Sequence, residues 1–211
     1  MTGQPRPVVA LDIDGTLGDY HGHFTRFAEA WIGRPMPDPK EINPGQPLYK
    51  HLGMSKATYR RCKVAYRSGG LKRSMPAYEG AADLVQYLRA EGAEVWFTTT
   101  RPYLKYDGID PDTRHWLRRN GIYKYDGLIF SSDRKYVDLI RAVGRERIIL
   151  VVDDLPEQIE AARRLKLAKL VIRDQPYNQH YETQWRIWDV DAIRYHFKDA
   201  QFRYRIGLPL L

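Results

Sequence analysis

Cysteine and long apolar runs are almost absent from this sequence of 211 residues. The single cysteine, Cys62, excludes an internal disulfide, and no Cys/His group has the spacing of a zinc finger. No run of 18 apolar residues occurs, and residues 1–7 lack the apolar core of a signal peptide, so we expect no transmembrane helix and no membrane partner. These features predict a protein of the reducing cytoplasm, long enough for one domain with an insertion.

The excess positive charge is confined to one part of the chain. The formal net charge is +8, and residues 21–75 contain eleven Lys or Arg residues against three acids, whereas the rest of the chain is balanced. A solvated surface would explain this equally simply, but a positive lobe also attracts anionic ligands. Helical patterns at 24–31 and 55–67 flank a stretch with five prolines, so residues 21–75 are predicted to form a small basic helical insertion.

The rest of the sequence is organised around the stretch Val8–Leu17. An apolar run ends in Asp12, and Asp14 and a glycine follow. Side chains at positions i and i+2 of an extended chain lie on the same side, so both carboxylates can share one site. The alternative without a functional site is an ordinary strand followed by an Asp-Gly turn, which accounts for the same residues.

Residues 80–172 alternate between strand and helix patterns. Strands are predicted at 94–99, 128–130, 148–152 and 170–172, and helices at 80–91, 111–120, 136–143 and 156–165. This alternation indicates an α/β fold with a parallel sheet covered by helices on both faces. We therefore expect a core of residues 1–20 and 76–184, the insertion of residues 21–75, and a segment 185–211 whose helix docks its aromatic side on the core.

Reactive polar residues follow several of these strands. Besides Asp12 and Asp14, the candidates at the strand ends are Thr99, Thr100, Arg101, Lys135, Asp153 and Asp154. The carboxyl ends of parallel strands meet at one edge of a sheet, so these groups are predicted to form one site. Carboxylate oxygens with room for water are the ligands that Mg²⁺ prefers, and Mg²⁺ would allow an aspartate to approach a phosphate dianion.

The motifs VALDIDGTL, WFTTTRP, DRK and ILVVDD, in this order, resemble those of the haloacid dehalogenase superfamily of phosphatases, over residues 8 to about 178. The resemblance implies a three-layer Rossmann-like fold with a small helical cap inserted after the first strand. It implies that Asp12 is the nucleophile and Asp14 the general acid/base, while Thr99 and Lys135 bind the phosphoryl group.

The same resemblance implies a Mg²⁺ site. Its ligands would be the Asp12 carboxylate, the Asp14 main-chain carbonyl and Asp153 or Asp154. Which of the three threonines binds the phosphoryl group is open by one residue. Which of Asp153 and Asp154 contacts the metal directly is also open.

Two relatives within the superfamily remain alternatives. Three features are similar to the 5′(3′)-deoxyribonucleotidases: the size of the insertion, the stretch MPAYEGAADLVQYLRAEGAEVWFTT that follows it, and residues 174–178. We favour this assignment. Thr100-Arg101, DTRHWLRRNGI and DRK are similar to the phosphatase domain of phage-type polynucleotide kinases, which act on nucleic-acid ends, although no P-loop is present. Both give Arg101 a role at the phosphate or the sugar edge of the substrate, and both explain a positive insertion over the site. Thr100 is the second candidate for substrate binding.

A third hypothesis is a non-catalytic module that binds nucleic acid through the basic insertion and the aromatic residues near the C-terminus. Intact acids at the strand ends argue against it. The oligomeric state stays open, and Trp31, Tyr59 and Tyr66 are candidates for a homodimer contact.

Overall fold

The computed structural model describes residues 5–102, 105–131 and 134–209. Within these ranges the strands are β1 (Val8–Leu11), β2 (Glu94–Thr99), β3 (Gly127–Phe130), β4 (Ile148–Asp153), β5 (Lys169–Arg173) and β6 (Arg186–Ile187). The helices are α1 (Tyr20–Ile32), α2 (Leu48–His51), α3 (Lys56–Ser68), α4 (Ala81–Ala90), α5 (Ile109–Arg119), α6 (Lys135–Val143), α7 (Pro156–Arg164) and α8 (Ala192–Arg205).

The described strands form one parallel sheet in the order β3-β2-β1-β4-β5-β6. The strand β1 lies in the middle, where Leu11 pairs with Phe97 on one side and Val152 on the other. Consecutive side chains of a strand point to opposite faces, so Val9 and Leu11 enter one apolar cluster, whereas Val8 and Ala10 enter another.

Helices cover both faces of the sheet. The face of Leu11 packs against apolar residues of α4, α5 and α8, and the opposite face packs against α6 and α7. These three layers, with helices inserted after β1, confirm the fold class expected from the sequence. The sequence pattern did not predict the strand β6, because two residues are too few for a recognisable apolar pattern.

The helical insertion has an apolar cluster of its own. Phe24 and Ala28 of α1 and Cys62 and Tyr66 of α3 are buried in it. Ser55 accepts a hydrogen bond from the Thr58 N–H at 3.1 Å and so caps the first turn of α3, as its sequence position predicts. This separate cluster supports treating the insertion as a distinct unit of the fold.

The two ends of the insertion lie side by side. The Asp19 N–H donates to the Pro76 carbonyl at 2.9 Å, and Gly18 forms an antiparallel bridge with Ala77. The Trp116 indole of α5 donates to the Met75 carbonyl at 2.6 Å. The insertion is thereby anchored next to the end of β1.

Two details differ from the sequence pattern. The helix α5 begins at Ile109, so Pro111 lies inside its first turn instead of opening it. The C-terminal helix α8 packs on the core through Ile193, Phe197 and Ala200, but Tyr195 and Phe202 are 71% and 61% exposed, so its aromatic residues do not dock as a group.

Candidate active site

The sharp turn after β1 places Asp12 at the carboxyl edge of the sheet. The Asp12 N–H donates to the Val152 carbonyl of β4 at 3.0 Å, and the side chain is buried. Gly15 has φ +98°, and a Cβ there would lie 2.4 Å from Asp154 Oδ2. The turn therefore requires glycine, both for its backbone conformation and for the close approach of Asp154.

Asp12 and Asp153 share one lysine. Lys135, the first residue of α6, lies 2.7 Å from Asp12 Oδ1 and 2.5 Å from Asp153 Oδ2 through its Nζ. The Tyr136 hydroxyl also donates to Asp153 Oδ2, at 2.5 Å. Burial alone would lower the pKa of Lys135, but Asp12 and Asp153 raise it well above its ordinary value, so the lysine stays charged.

Asp12, Asp153 and Asp154 converge on one point. Each offers a carboxylate oxygen, and these three oxygens lie within 4.8 Å of one another. Burial raises the pKa of Asp12 to about 7, against the attraction of Lys135 and with a contribution from Asp153. Burial also raises the pKa of Asp154 well above its usual value, and the charges of Asp12 and Asp153 add to this. Buried, mutually repelling carboxylates of this kind fit a divalent cation with hard-oxygen preference.

Asp14 points to a different set of partners. Two nitrogens of the Arg101 guanidinium donate hydrogen bonds to its carboxylate, at 2.6 and 3.0 Å, and Lys72 of the insertion donates to it at 2.5 Å. Burial alone would raise the pKa of Asp14, but these cations hold it well below its ordinary range. The Asp14 carboxylate therefore does not join the cluster of three, and the structure keeps it ionised.

The three threonines at the end of β2 occupy different environments. Thr98 and Thr99 are buried, and Thr99 Oγ1 accepts a hydrogen bond from the Arg101 N–H at 3.3 Å. Thr100 borders the cavity above the site, as Arg101 does. The predicted substrate-binding pair Thr100 and Arg101 thus lies on the cavity wall, whereas Thr99 lies behind it.

A cavity of about 450 Å³ separates the sheet edge from the helical insertion. Asp12, Asp14 and Asp154 border it on the core side, and α3 borders it on the other. Its volume is in the range of small-ligand pockets. A ligand in this cavity would therefore contact both the core and the helical insertion.

Lys72 and Tyr177 are among the site residues that the sequence did not predict. Lys72 was one of eleven basic residues in the insertion, and nothing local distinguishes it from the others. Tyr177, whose hydroxyl donates to Asp154 Oδ2, follows β5 in a short 3₁₀ turn, Pro176–Asn178. Only the folded chain shows that both contact the predicted acids.

The raised pKa of Asp12 predicts a pH-dependent stability difference. Between pH 3.8 and about 7 the folded chain retains a proton on Asp12 that the unfolded chain releases, so the wild type loses stability as the pH rises through this interval. The stability advantage of Asp12→Asn over the wild type will therefore grow as the pH rises towards about 7. Urea unfolding with a chelator present measures it.

Taking the difference between variants removes the contribution of His21, whose burial lowers its pKa to about 4 and which acts in the opposite direction. Asp83→Asn, at an exposed position of α4, is the matched control for the loss of one carboxylate away from the site. A stability difference for Asp12→Asn that does not grow between pH 3.8 and about 7 would contradict the assigned environment.

Comparison with known proteins agrees with this geometry. The family described as "5′ nucleotidase, deoxy (Pyrimidine), cytosolic type C protein" matches residues 6–194. The chain belongs to this nucleotidase family. The "Putative 5′(3′)-deoxyribonucleotidase" of Chlorobaculum tepidum is 26% identical over 179 residues, which cover 83% of this chain and 82% of that protein. The "Putative nucleotidase OB0422" of Oceanobacillus iheyensis is 30% identical over 116 residues, which cover 54% of this chain and 57% of that protein.

Solved structures share the fold of this nucleotidase. The haloacid dehalogenase-like hydrolase SP0104 of Streptococcus pneumoniae aligns with a TM-score of 0.64 at 18% identity, covering 91% of this chain and 98% of that chain. A haloacid dehalogenase-superfamily hydrolase of Geobacter sulfurreducens aligns with a TM-score of 0.60 at 17% identity, covering 91% and 96%. These solved structures confirm the fold that the resemblance implies, and the family match shows that the chain is a nucleotidase-like phosphoric monoester hydrolase.

The three converging aspartates also agree with the metal use of related phosphatases. Phosphatases of this superfamily typically use a divalent metal, which agrees with the three converging aspartates. Among the described residues, no helix has the length and apolar character needed to cross a membrane. The family match makes this chain a nucleotide phosphatase.

Proposed function

We propose that this chain is a Mg²⁺-dependent phosphatase of nucleoside monophosphates that works through an aspartyl-phosphate intermediate on Asp12. The observation that carries the proposal is the position of the Asp12 carboxylate. It lies at the floor of the cavity, in contact with Lys135 and next to Asp153 and Asp154. A carboxylate held in this way is a competent nucleophile once its repulsion from a phosphate is screened.

Asp12, Asp153 and Asp154 would hold the metal. Their oxygens form a compact, buried set of hard donors, and Thr16 and Tyr177 orient Asp154 by donating hydrogen bonds to its two oxygens. When bound, Mg²⁺ would neutralise the repulsion between Asp12 and the phosphate dianion and polarise the phosphoryl oxygens.

The residues of the chain would perform two steps. In the first, an Asp12 oxygen bonds to phosphorus while the ester bond breaks, and Asp14 gives a proton to the leaving oxygen. In the second, Asp14 takes a proton from a water molecule that attacks phosphorus and releases Asp12. Lys135, and a threonine hydroxyl from the end of β2, would stabilise the charge on the phosphoryl oxygens.

Asp14 needs a proton in the first step, yet Arg101 and Lys72 hold it ionised. A bound phosphate dianion competes for these cations, and we infer that they turn towards it when substrate enters. Their withdrawal raises the pKa of Asp14 and prepares it as an acid. This reconciles the contact of Arg101 with Asp14 and its predicted role at the substrate phosphate.

The relatives support a narrower substrate. The name of the Chlorobaculum protein and the family description both point to deoxyribonucleotides, and we propose deoxyribonucleoside 5′- and 3′-monophosphates as substrates. The buried free thiol of Cys62 supports a location in the reducing cytoplasm.

The test is phosphate release from 5′- and 3′-deoxyribonucleoside monophosphates, with Mg²⁺ and with a chelator. We expect turnover that the chelator abolishes and added Mg²⁺ restores. Asp153→Asn and Asp154→Asn will each raise the Mg²⁺ concentration needed for half-maximal rate by about 10- to 100-fold, and the larger effect will identify the stronger ligand. Asp83→Asn, which preserves the site, should leave this concentration unchanged. Absence of phosphate release from every monophosphate, with Mg²⁺, Mn²⁺ or Co²⁺, would refute the proposal.

A further inference from the structure

The proposed hydrolysis of monophosphates assigns no role to two cations on the insertion side of the cavity. Lys63 and Arg67 lie one turn apart on α3, and both line the cavity. Residues four apart on a helix share a face, so both side chains approach a ligand from the same direction. They face the sheet edge that carries Asp12 across the cavity.

The other cations of the site have anionic partners. Lys135 contacts Asp12 and Asp153, and the carboxylate of Asp14 is bound by Lys72 and Arg101. Within the described parts of the chain, by contrast, no carboxylate lies within 4.0 Å of Lys63 or Arg67. The Lys63 ammonium instead lies 5.2 Å from the centre of the Tyr59 ring.

The surroundings of Lys63 are those of an unsatisfied cation. Burial, together with the neighbouring charge of Arg67, lowers the pKa of Lys63 to about 8, against a smaller attraction from Asp14. An anion placed between the two side chains would relieve this repulsion. The acid on the opposite rim of the cavity, Glu157, is exposed to solvent and does not reach either cation.

We propose that Lys63 and Arg67 form a second anion subsite, so that the preferred substrate is a nucleotide with a phosphate on each side of its sugar. One phosphate lies at Asp12 and is hydrolysed, and the other is bound by the two cations of α3. The inference rests on the proposed function, since it takes the Asp12 end of the cavity as the reacting end. Phosphate is the ligand because ammonium and guanidinium groups bind it with charge-assisted hydrogen bonds, whereas a base edge brings no formal charge.

Two sources can present this chemistry. One is a free nucleoside 3′,5′-bisphosphate, and the other is the phosphorylated end of an oligonucleotide, whose next group is a phosphodiester. The subsite is the same for both. The substrates in the experiment distinguish them.

The experiment compares kcat/KM for a deoxyribonucleoside 5′-monophosphate, the 3′-monophosphate, the 3′,5′-bisphosphate and a 3′-phosphorylated oligonucleotide. We expect one of the two substrates that carry a second phosphate group, the bisphosphate or the oligonucleotide, to exceed both monophosphates by at least about tenfold. The double variant Lys63→Gln/Arg67→Gln should lower kcat/KM for that substrate by about 10- to 100-fold, mainly through KM. The monophosphates should change by no more than about threefold, because they lose only a long-range attraction.

Arg60→Gln/Arg61→Gln is the matched control, because it removes the same charge from exposed positions of α3 outside the cavity. It should leave the ratio between substrates unchanged. Binding of the bisphosphate to Asp12→Asn, measured by calorimetry with and without the Lys63 and Arg67 substitutions, gives a second readout that is independent of turnover.

The outcomes separate the subsite from the catalytic assignment. Turnover of monophosphates without any preference for a second phosphate would overturn the subsite while preserving the proposed phosphatase. An equal loss on all substrates in the double variant would also overturn it. Absence of turnover on every substrate would refute the proposed function instead. Preference for the bisphosphate or for the oligonucleotide end supports the subsite and identifies its source.

Discussion

Replacing Asp12 by asparagine will lower kcat by about 10⁴-fold or more on any nucleotide that the wild type hydrolyses. The amide preserves the shape of the side chain but cannot donate an electron pair to phosphorus as a carboxylate does. The loss should appear in kcat, because the substrate still meets Lys135 and the cavity wall. Steady-state phosphate release, followed with Mg²⁺ present, measures it.

The variant must fold for this result to count. Lys135 keeps Asp153 as its partner when Asp12 loses its charge, so no buried cation is left unpaired. Urea unfolding of Asp12→Asn should therefore remain cooperative, as it should for the surface control Asp83→Asn. Retention of more than a hundredth of the wild-type kcat would exclude Asp12 as the nucleophile.

Replacing Lys135 by methionine will destabilise the metal-free protein by about 3 kcal/mol or more. Lys135 is the cation in contact with both Asp12 and Asp153, and methionine leaves these buried carboxylates to repel each other. A divalent cation that binds the folded cluster supplies the missing charge. We therefore expect saturating Mg²⁺ to recover a large part of the loss in urea unfolding experiments.

Lys169→Met provides the matched control. Lys169 is also a buried lysine, it also pairs with an aspartate, Asp199, at 2.5 Å, and it lies on β5 away from the cluster. Its replacement should cost stability to the same extent with and without Mg²⁺. If Mg²⁺ restores neither variant, or both equally, the three aspartates are not the metal site.

The site acids were predictable because they follow apolar strands. A short apolar run that ends in aspartate is visible at Leu11-Asp12 and at Val152-Asp153, and parallel strands bring their carboxyl ends together. The convergence of Asp12, Asp153 and Asp154 follows from this rule. The direction of the Asp14 side chain does not, since two cations from distant parts of the chain decide it.

The threonine register shows the same limit. Three consecutive threonines are equivalent in the sequence, and the strand end at Thr99 separates two buried side chains from Thr100 at the cavity. Likewise, the alternation of apolar residues cannot reveal β6, because it has only two residues. Short elements depend on their neighbours more than on their own pattern.

By itself, the sequence determined the layered fold, the helical insertion after β1 and the acids at the strand ends, because local periodicity encodes which faces are buried and where strands stop. Only the tertiary structure decided which cations meet which acids. Lys72 reaches Asp14 across 58 residues, while Lys63 and Arg67 are left facing the cavity without a carboxylate partner in the described residues. Such pairings arise from the packing of the insertion over the sheet edge, and no local pattern records that packing.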